Sequence, residues 1–251
     1  MLTKKILPTL LWTVITGSLV LTGCSQTQAP TILVKQVQQA ELIPLESFFD
    51  EQDISELSAS RDGKWLAFFK EYQGASNIYL MPAGGELSEA FAITTSKDPI
   101  NSFRWSTEAN EIFFLRDTAG NENTQIYRLT LDITQAKPVP SVTALTHNSE
   151  VVYNILKQPK ENPNTLVLMS NQDNPQQQDI YRLELDSGNI TNIFANTYGF
   201  SQVEVNKQGQ PMLGISSNPD NTSDLYANID GKWTSLIKTQ FGESIHILSF
   251  D

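Results

Sequence analysis

An all-β fold made of repeated four-stranded sheets is what this sequence predicts, on three observations. A polar residue, an aliphatic residue and a tyrosine follow one another four times, as Asn77-Ile78-Tyr79, Gln125-Ile126-Tyr127, Asp179-Ile180-Tyr181 and Asp224-Leu225-Tyr226. The tyrosines stand 48, 54 and 45 residues apart. Short alternating runs lie between them, punctuated by Gly, Asp, Asn and Ser. A near-regular period of that size, carried by short strands, is the mark of β-propeller blades. The expectation is an incomplete β-propeller: about four four-stranded blades plus the first strand of a fifth.

Each repeat divides into four strands separated by turn residues. The first uses 54–58, 65–69, 77–81 and 91–94. In 65–69, Trp65, Ala67 and Phe69 alternate with Leu66 and Phe68. The second uses 100–105, 111–115, 124–131 and 142–145. The third uses 151–156, 165–169, 179–185 and 190–194. The fourth uses 200–205, 212–215, 224–227 and 233–237. Ser244 to Phe250 matches the inner strand of a fifth. Asp62-Gly63 and Gln208-Gly209 fill the same slot, the first hairpin of a blade, where a positive φ favours glycine. The repeated tyrosines read as core residues whose hydroxyls find partners between blades.

Residues 1–23 stand outside the fold. Lys4 and Lys5 open the chain, an uncharged apolar run follows from Ile6 to Leu21, and Leu21-Thr22-Gly23-Cys24 closes it. That is a secretory signal, and with Pro8 inside it the run is short for a membrane-spanning helix. Its ending resembles a bacterial lipobox, which implies cleavage before Cys24 and lipid on its sulfur. Acyl chains there would hold the chain to a membrane. Ser25 resembles the pattern that sorts lipoproteins to the periplasmic face of the outer membrane. Residues 24–44, rich in Gln, Thr and Ala, read as a tether. The propeller domain then occupies 45–251, long enough to bury a core.

Cys24 is the single cysteine, so no disulfide is expected. The net charge is -11. Losing residues 1–23 removes two lysines and no acid, leaving 15 basic against 28 acidic residues and a charge of -13. Such a surface disfavours nucleic acid and anionic lipid headgroups as partners.

Several segments together carry a family resemblance. They are Pro44 to Phe49, Leu57 to Phe68, Ile100 to Ser106, and Arg116 to Asn123 followed by Gln125-Ile126-Tyr127. Over about residues 44–251 the chain resembles the prolyl oligopeptidase family of serine peptidases, closer to its acylaminoacyl and dipeptidyl branches than to prolyl oligopeptidase itself. The resemblance implies a propeller that caps an α/β-hydrolase domain and admits short peptides. It also implies that the catalytic Ser, Asp and His belong to the hydrolase domain. This chain has no counterpart of that domain, so the expectation is a portion truncated before it and inactive as a peptidase by itself.

Direct tests for chemistry agree. A hydrolase nucleophile needs Gly-x-Ser-x-Gly on a strand-to-helix turn. Gly199-Phe200-Ser201 and Gly214-Ile215-Ser216 lack the second glycine and precede no helical pattern. His147 and His246 are the two histidines, far apart and without a nearby acid, so neither a triad nor a metal site is expected. Ser235-Leu236-Ile237-Lys238 matches Ser-x-x-Lys but closes a strand. Asp117, Asn121 and Asn123, and Asp220, Asn221 and Asp224, read as turn chemistry, since calcium needs six to eight oxygens. No cofactor or metal is expected. The loop 116–123 carries the candidate functional residues, Arg116, Asp117 and Glu122. They could orient a peptide terminus or contact a hydrolase domain, and the plainer alternative is an ion pair inside the loop. The competing reading of the whole chain is a Tol-type docking module. A closed four-bladed ring is a third.

Overall fold

The computed structural model describes residues 54–248, except residues 109 and 136. The expected signal 1–23 and the tether 24–44, with Cys24, lie outside those residues. The described chain forms sixteen strands in four antiparallel sheets. The first sheet has β1 (Ser55–Ala59), β2 (Trp65–Tyr72), β3 (Ala75–Pro82) and β4 (Phe91–Ala92). The second has β5 (Ile100–Trp105), β6 (Glu111–Arg116), β7 (Gln125–Asp132) and β8 (Val139–Ala144). The third has β9 (Tyr153–Lys157), β10 (Thr165–Ser170), β11 (Asp179–Glu184) and β12 (Ile190–Phe194). The fourth has β13 (Phe200–Val205), β14 (Pro211–Ser217), β15 (Ser223–Ile229) and β16 (Lys232–Lys238). Each sheet is a simple up-and-down meander, which is the blade of a propeller. A single short 3-10 turn, Leu87–Glu89, is the helical content among the described residues.

Burial explains the strand sequences. The middle strands of a blade are covered on both faces, so they read as unbroken apolar runs. Four successive residues of β6 are buried, Ile112 to Leu115, and β10 is buried at every position. The outer strands β8 and β16 are mostly exposed. In all four sheets the first and second strands pair with a register shift. Such bulges sharpen the right-handed twist of each blade.

The repeated dipeptides form the joints between blades. Successive residues of a strand point to opposite faces. Ile78 therefore shares a cluster with Tyr127 of the next blade. Ile126 shares one with Tyr181, and Ile180 shares one with Tyr226. The aliphatic residue faces forward and the tyrosine faces back. Leu225, the fourth aliphatic, meets no such tyrosine among the described residues, and Ile237 beside it is 51% exposed.

The hydroxyls behave otherwise than expected. Each found partner lies in the tyrosine's own blade, not between blades. Tyr79 Oη donates to Glu71 O at 3.4 Å. Arg116 Nη2 donates to Tyr127 Oη at 3.0 Å, and Asp173 N to Tyr181 Oη at 3.3 Å. The register sets this: the tyrosines sit opposite Phe68, Phe114 and Leu168 of the second strand. Their rings lie along that strand, and the hydroxyls reach its end.

Tyr181 is 1% exposed, and burial, joined by its side-chain hydrogen bond to the Asp173 carboxylate and only partly offset by the Asp173 N–H, pushes its phenol up to about 12. The folded value lies above the ordinary value near 10. The stabilisation from the neutral phenol is therefore complete below about pH 10 and fades as pH rises towards 12. Tyr181→Phe is expected to flatten that part of the alkaline limb in urea melts taken across pH. An unchanged limb would show that Tyr181 does not titrate as described.

The polar residue of each motif clasps a connection. Asn77 binds Ser96 twice, accepting from its N–H at 2.7 Å and donating to its carbonyl at 3.0 Å. Gln125 Nε2 donates to Asn148 O and Val151 O. Asp179 Oδ1 accepts from Asn196 N at 2.8 Å. All three are buried and hold the segment leading into the next blade. A threonine doubles the clasp in the first two blades, Thr94 and Thr146 accepting from the amides of Ile78 and Ile126, and in the fourth Thr239 accepts from the amide of Ser223. Asp224 differs, accepting from Asn218 inside its own hairpin loop.

The hairpin glycines are structural as expected, with φ of 70° at Gly63 and 81° at Gly209. In the second blade, Asn110 takes the same left-handed role at 67°. The segment expected to begin a fifth blade has no strand pairing through residue 248. A strand is made by its ladder, and the described residues supply no second strand for this one. Its link to the fourth blade is a hydrogen bond from Gln202 Nε2 to Ile247 O at 3.1 Å.

Candidate functional site

In a meander, first-to-second and third-to-fourth turns fall on one face of the propeller. Second-to-third loops and the connections between blades fall on the other. The β6–β7 loop, 117–124, belongs to that second face, where loops carried on a rigid scaffold are free to bind.

Arg116 ends β6, and its two terminal nitrogens are committed within the protein while its Nε is shielded and unpartnered. Nη1 donates to Ser96 Oγ at 2.9 Å, Nη2 donates to Tyr127 Oη, and the guanidinium lies 4.5 Å from the Tyr127 ring centre. Asp117 is buried and braces the loop. Its Oδ2 accepts from Glu122 N at 3.0 Å, and its own amide donates to Asn101 Oδ1 at 3.3 Å. Neighbouring connections pin the loop from both sides. Asp98 Oδ1 accepts from Ala119 N. Asn121 and Asn123 both donate to Ser149 O. Ala119, Gly120 and Glu122 all have positive φ, conformations that persist only where surroundings enforce them.

The ion pair considered for this loop does not form. Neither Asp117 nor Glu122 pairs with Arg116 among the described residues. Arg116 is drawn instead to a hydroxyl of the preceding connection and to a tyrosine 11 residues on, in the adjacent strand β7. Of the three candidates, Glu122 is the one whose carboxylate is exposed and uncommitted. The loop is thus a rigid platform that presents one acidic side chain.

The other chemical strings sit where the sequence suggested. Ser201 and Ser216 are strand residues, the former donating to Ile215 O at 3.2 Å. Ser235 to Lys238 lie in β16. Asp220 takes part in turn chemistry: its Oδ1 accepts from Thr222 Oγ1 at 2.6 Å and from Thr222 N at 3.1 Å, and these bonds hold its carboxyl below the usual range. His147 and His246 are exposed. Among the described residues, no three His, Cys, Asp or Glu side chains gather as a metal site.

Two residues of interest were missed by the sequence reading. Arg182 and Asn228 line a cleft of about 520 Å³ between the third and fourth blades, on the opposite face. Superposing the repeats on their tyrosines reveals the first of them, since Arg128 and Arg182 each follow the motif tyrosine.

No family model matches the chain. The dipeptidyl aminopeptidase BIII of Pseudoxanthomonas mexicana is 28% identical over 211 residues, covering 82% of this chain and 29% of that enzyme. In sequence, the chain resembles the propeller portion of the prolyl oligopeptidase family. It spans under a third of that relative's length. Prolyl oligopeptidase B of Galerina marginata shares the fold, with a TM-score of 0.54 at 12% identity, over 72% of this chain and 27% of that one. So does a putative TolB of Agrobacterium tumefaciens, with a TM-score of 0.51 at 20% identity, over 74% and 65%. The four sheets are therefore propeller blades in architecture as well as in strand order.

Proposed function

We propose that the chain serves as the non-catalytic, substrate-gating propeller of a prolyl oligopeptidase-like serine peptidase, held by lipid on Cys24 at the periplasmic face of the outer membrane. The observation that carries the peptidase half is the 28% identity to a dipeptidyl aminopeptidase across 82% of the chain. The lipid half rests on the sequence from Lys4 to Cys24. In this reading the 116–123 loop faces the catalytic domain. Arg116 and Asp117 hold its shape, and Glu122 offers a carboxylate to a peptide amino terminus or to the domain itself. Rigid blades then select by size, admitting short peptides to an active site built elsewhere.

The purified full chain is expected to show no turnover of aminoacyl or acyl-peptide chromogenic substrates. An α/β-hydrolase domain of the same family, added in trans, is expected to bind and to cleave long peptides more slowly relative to dipeptide substrates. Glu122→Gln should weaken that effect. Turnover by the chain alone, abolished by a serine-directed phosphonate, defeats the non-catalytic reading. An unchanged ratio of long to short cleavage defeats gating. Labelled palmitate incorporated by the chain and absent from Cys24→Ala measures the lipid half.

A docking module is the second reading. It is favoured by the fold shared with TolB, where this chain covers 65% of the neighbour, and by the exposed apolar side of the fourth blade around Ile237.

A further inference from the structure

Arg128 and Arg182 occupy the same place in consecutive blades, each one residue past the motif tyrosine. Arg128 is neutralised inside its blade by Glu111, the first residue of β6, through both Nε and Nη2. In the third blade the residue that begins the second strand is Thr165, and its hydroxyl is spent on Asn162 O. The register confirms the equivalence. Glu111 opposes Thr130, two residues past Arg128, and Thr165 opposes Glu184, two residues past Arg182. The carboxylate that the arginine position uses in one blade is missing from the next.

The Arg182 side chain accordingly has no hydrogen bond or ion pair among the described residues, and its Nε is shielded from solvent. A buried donor left unmade is costly, and a guanidinium is shaped to grip a carboxylate with two parallel bonds. It lines the cleft of about 520 Å³, a size suited to a small ligand. Across the cleft, on β15, Asn228 spends its Nδ2 on Pro211 O at 3.2 Å, while its Oδ1 is shielded and unpartnered. An unmet donor and an unmet acceptor thus share one cleft. Asp230 adds a carboxylate at its rim, and Ile193, Pro211 and Met212 supply apolar wall. Gly209 keeps the blades close here, since a Cβ would lie 2.8 Å from Pro159 Cγ and 3.0 Å from Val167 Cγ2.

We propose that this cleft binds a small zwitterion of the amino-acid type with an apolar side chain. Its carboxylate takes the place that Glu111 fills for Arg128. Its ammonium meets Asn228 Oδ1 and Asp230, and its side chain rests on Ile193, Pro211 and Met212. A bare anion fits less well, because Asp230 and a net charge of -11 oppose it. The site lies on the face opposite Glu122, so it is independent of the gating reading.

Isothermal titration calorimetry on the purified full chain tests it with three probes of one carbon skeleton: L-leucine, 4-methylpentanoate, which lacks the amine, and isoamylamine, which lacks the carboxylate. Leucine is expected to bind saturably, and each half-probe about tenfold or more weaker. Arg182→Gln should lose leucine binding by about tenfold or more, while Arg128→Gln leaves the affinity unchanged. If Arg182→Gln melts early, Arg182→Lys, which keeps charge without the fork, is measured instead and should also bind more weakly. No saturable heat with leucine up to roughly 10 mM overturns the proposal. So does undiminished binding in the Arg182 variants, or 4-methylpentanoate binding as tightly as leucine.

Discussion

Phe113→Ala will lower the unfolding free energy by about 3–5 kcal/mol, the largest effect expected from any single truncation considered. Phe113 is fully shielded in β6 and belongs to the cluster that joins the second blade to the third, with Ile126, Tyr153, Leu168 and Tyr181. Removing the ring takes away its transfer energy and leaves a void that rigid strands on both sides cannot refill. Blades contact chiefly their neighbours, so the loss falls on one joint. Urea unfolding should show a midpoint lowered by about 1–2 M. Val142→Ala, on the exposed strand β8, is the control and should change stability by under about 0.5 kcal/mol. Equal effects at the two positions would mean that the joint between these blades does not carry stability.

Gly214→Ala is expected to cost about 1–3 kcal/mol by overpacking. Gly214 lies in β14 beside Val203 of β13, and its φ is ordinary, so the backbone tolerates alanine. The obstacle is Phe200: an added Cβ would sit 2.5–2.6 Å from three atoms of its ring. That ring cannot swing aside, because it lies among Phe194, Tyr198, Tyr226 and Trp233 at centroid distances of 4.8–6.1 Å. Shrinking the obstacle should partly reverse the cost. In Phe200→Leu the added Gly214→Ala change should be far milder than in the parent, a coupling that a double-mutant cycle reads directly. Additive costs would place the strain somewhere other than this contact.

Much of the fold was legible because strand period and turn chemistry are local. The bounds of β5, β12 and β13 match the alternating pattern residue for residue, and Gly63 and Gly209 announce their turns. The forward and backward facing of Ile78 and Tyr79 follows from strand alternation once the blades are stacked. The hydroxyl partners were not legible, since they depend on register between strands rather than on the motif itself. Thr94, Thr146 and Thr239 escaped notice for a similar reason. Their contacts span 16 to 20 residues with no regular period. In the candidate loop the residue types were visible but their commitments were not. Ser96 lies 20 residues from Arg116, in the preceding connection, and only the packed blades bring them together. Arg182 was readable in principle, by asking which repeat lacks the acid that its sister uses.

Because each of the three joints among the described residues pairs a forward-facing aliphatic with a backward-facing tyrosine, the repeats are interchangeable at their seams. Excision of one whole repeat would bring Ile78 against Tyr181, the same chemical match as Ile78 against Tyr127. Gain or loss of entire blades is then the mildest route by which such a chain changes length, while an insertion of a single residue inside a middle strand turns its side chains to the wrong sides and undoes two seams at once.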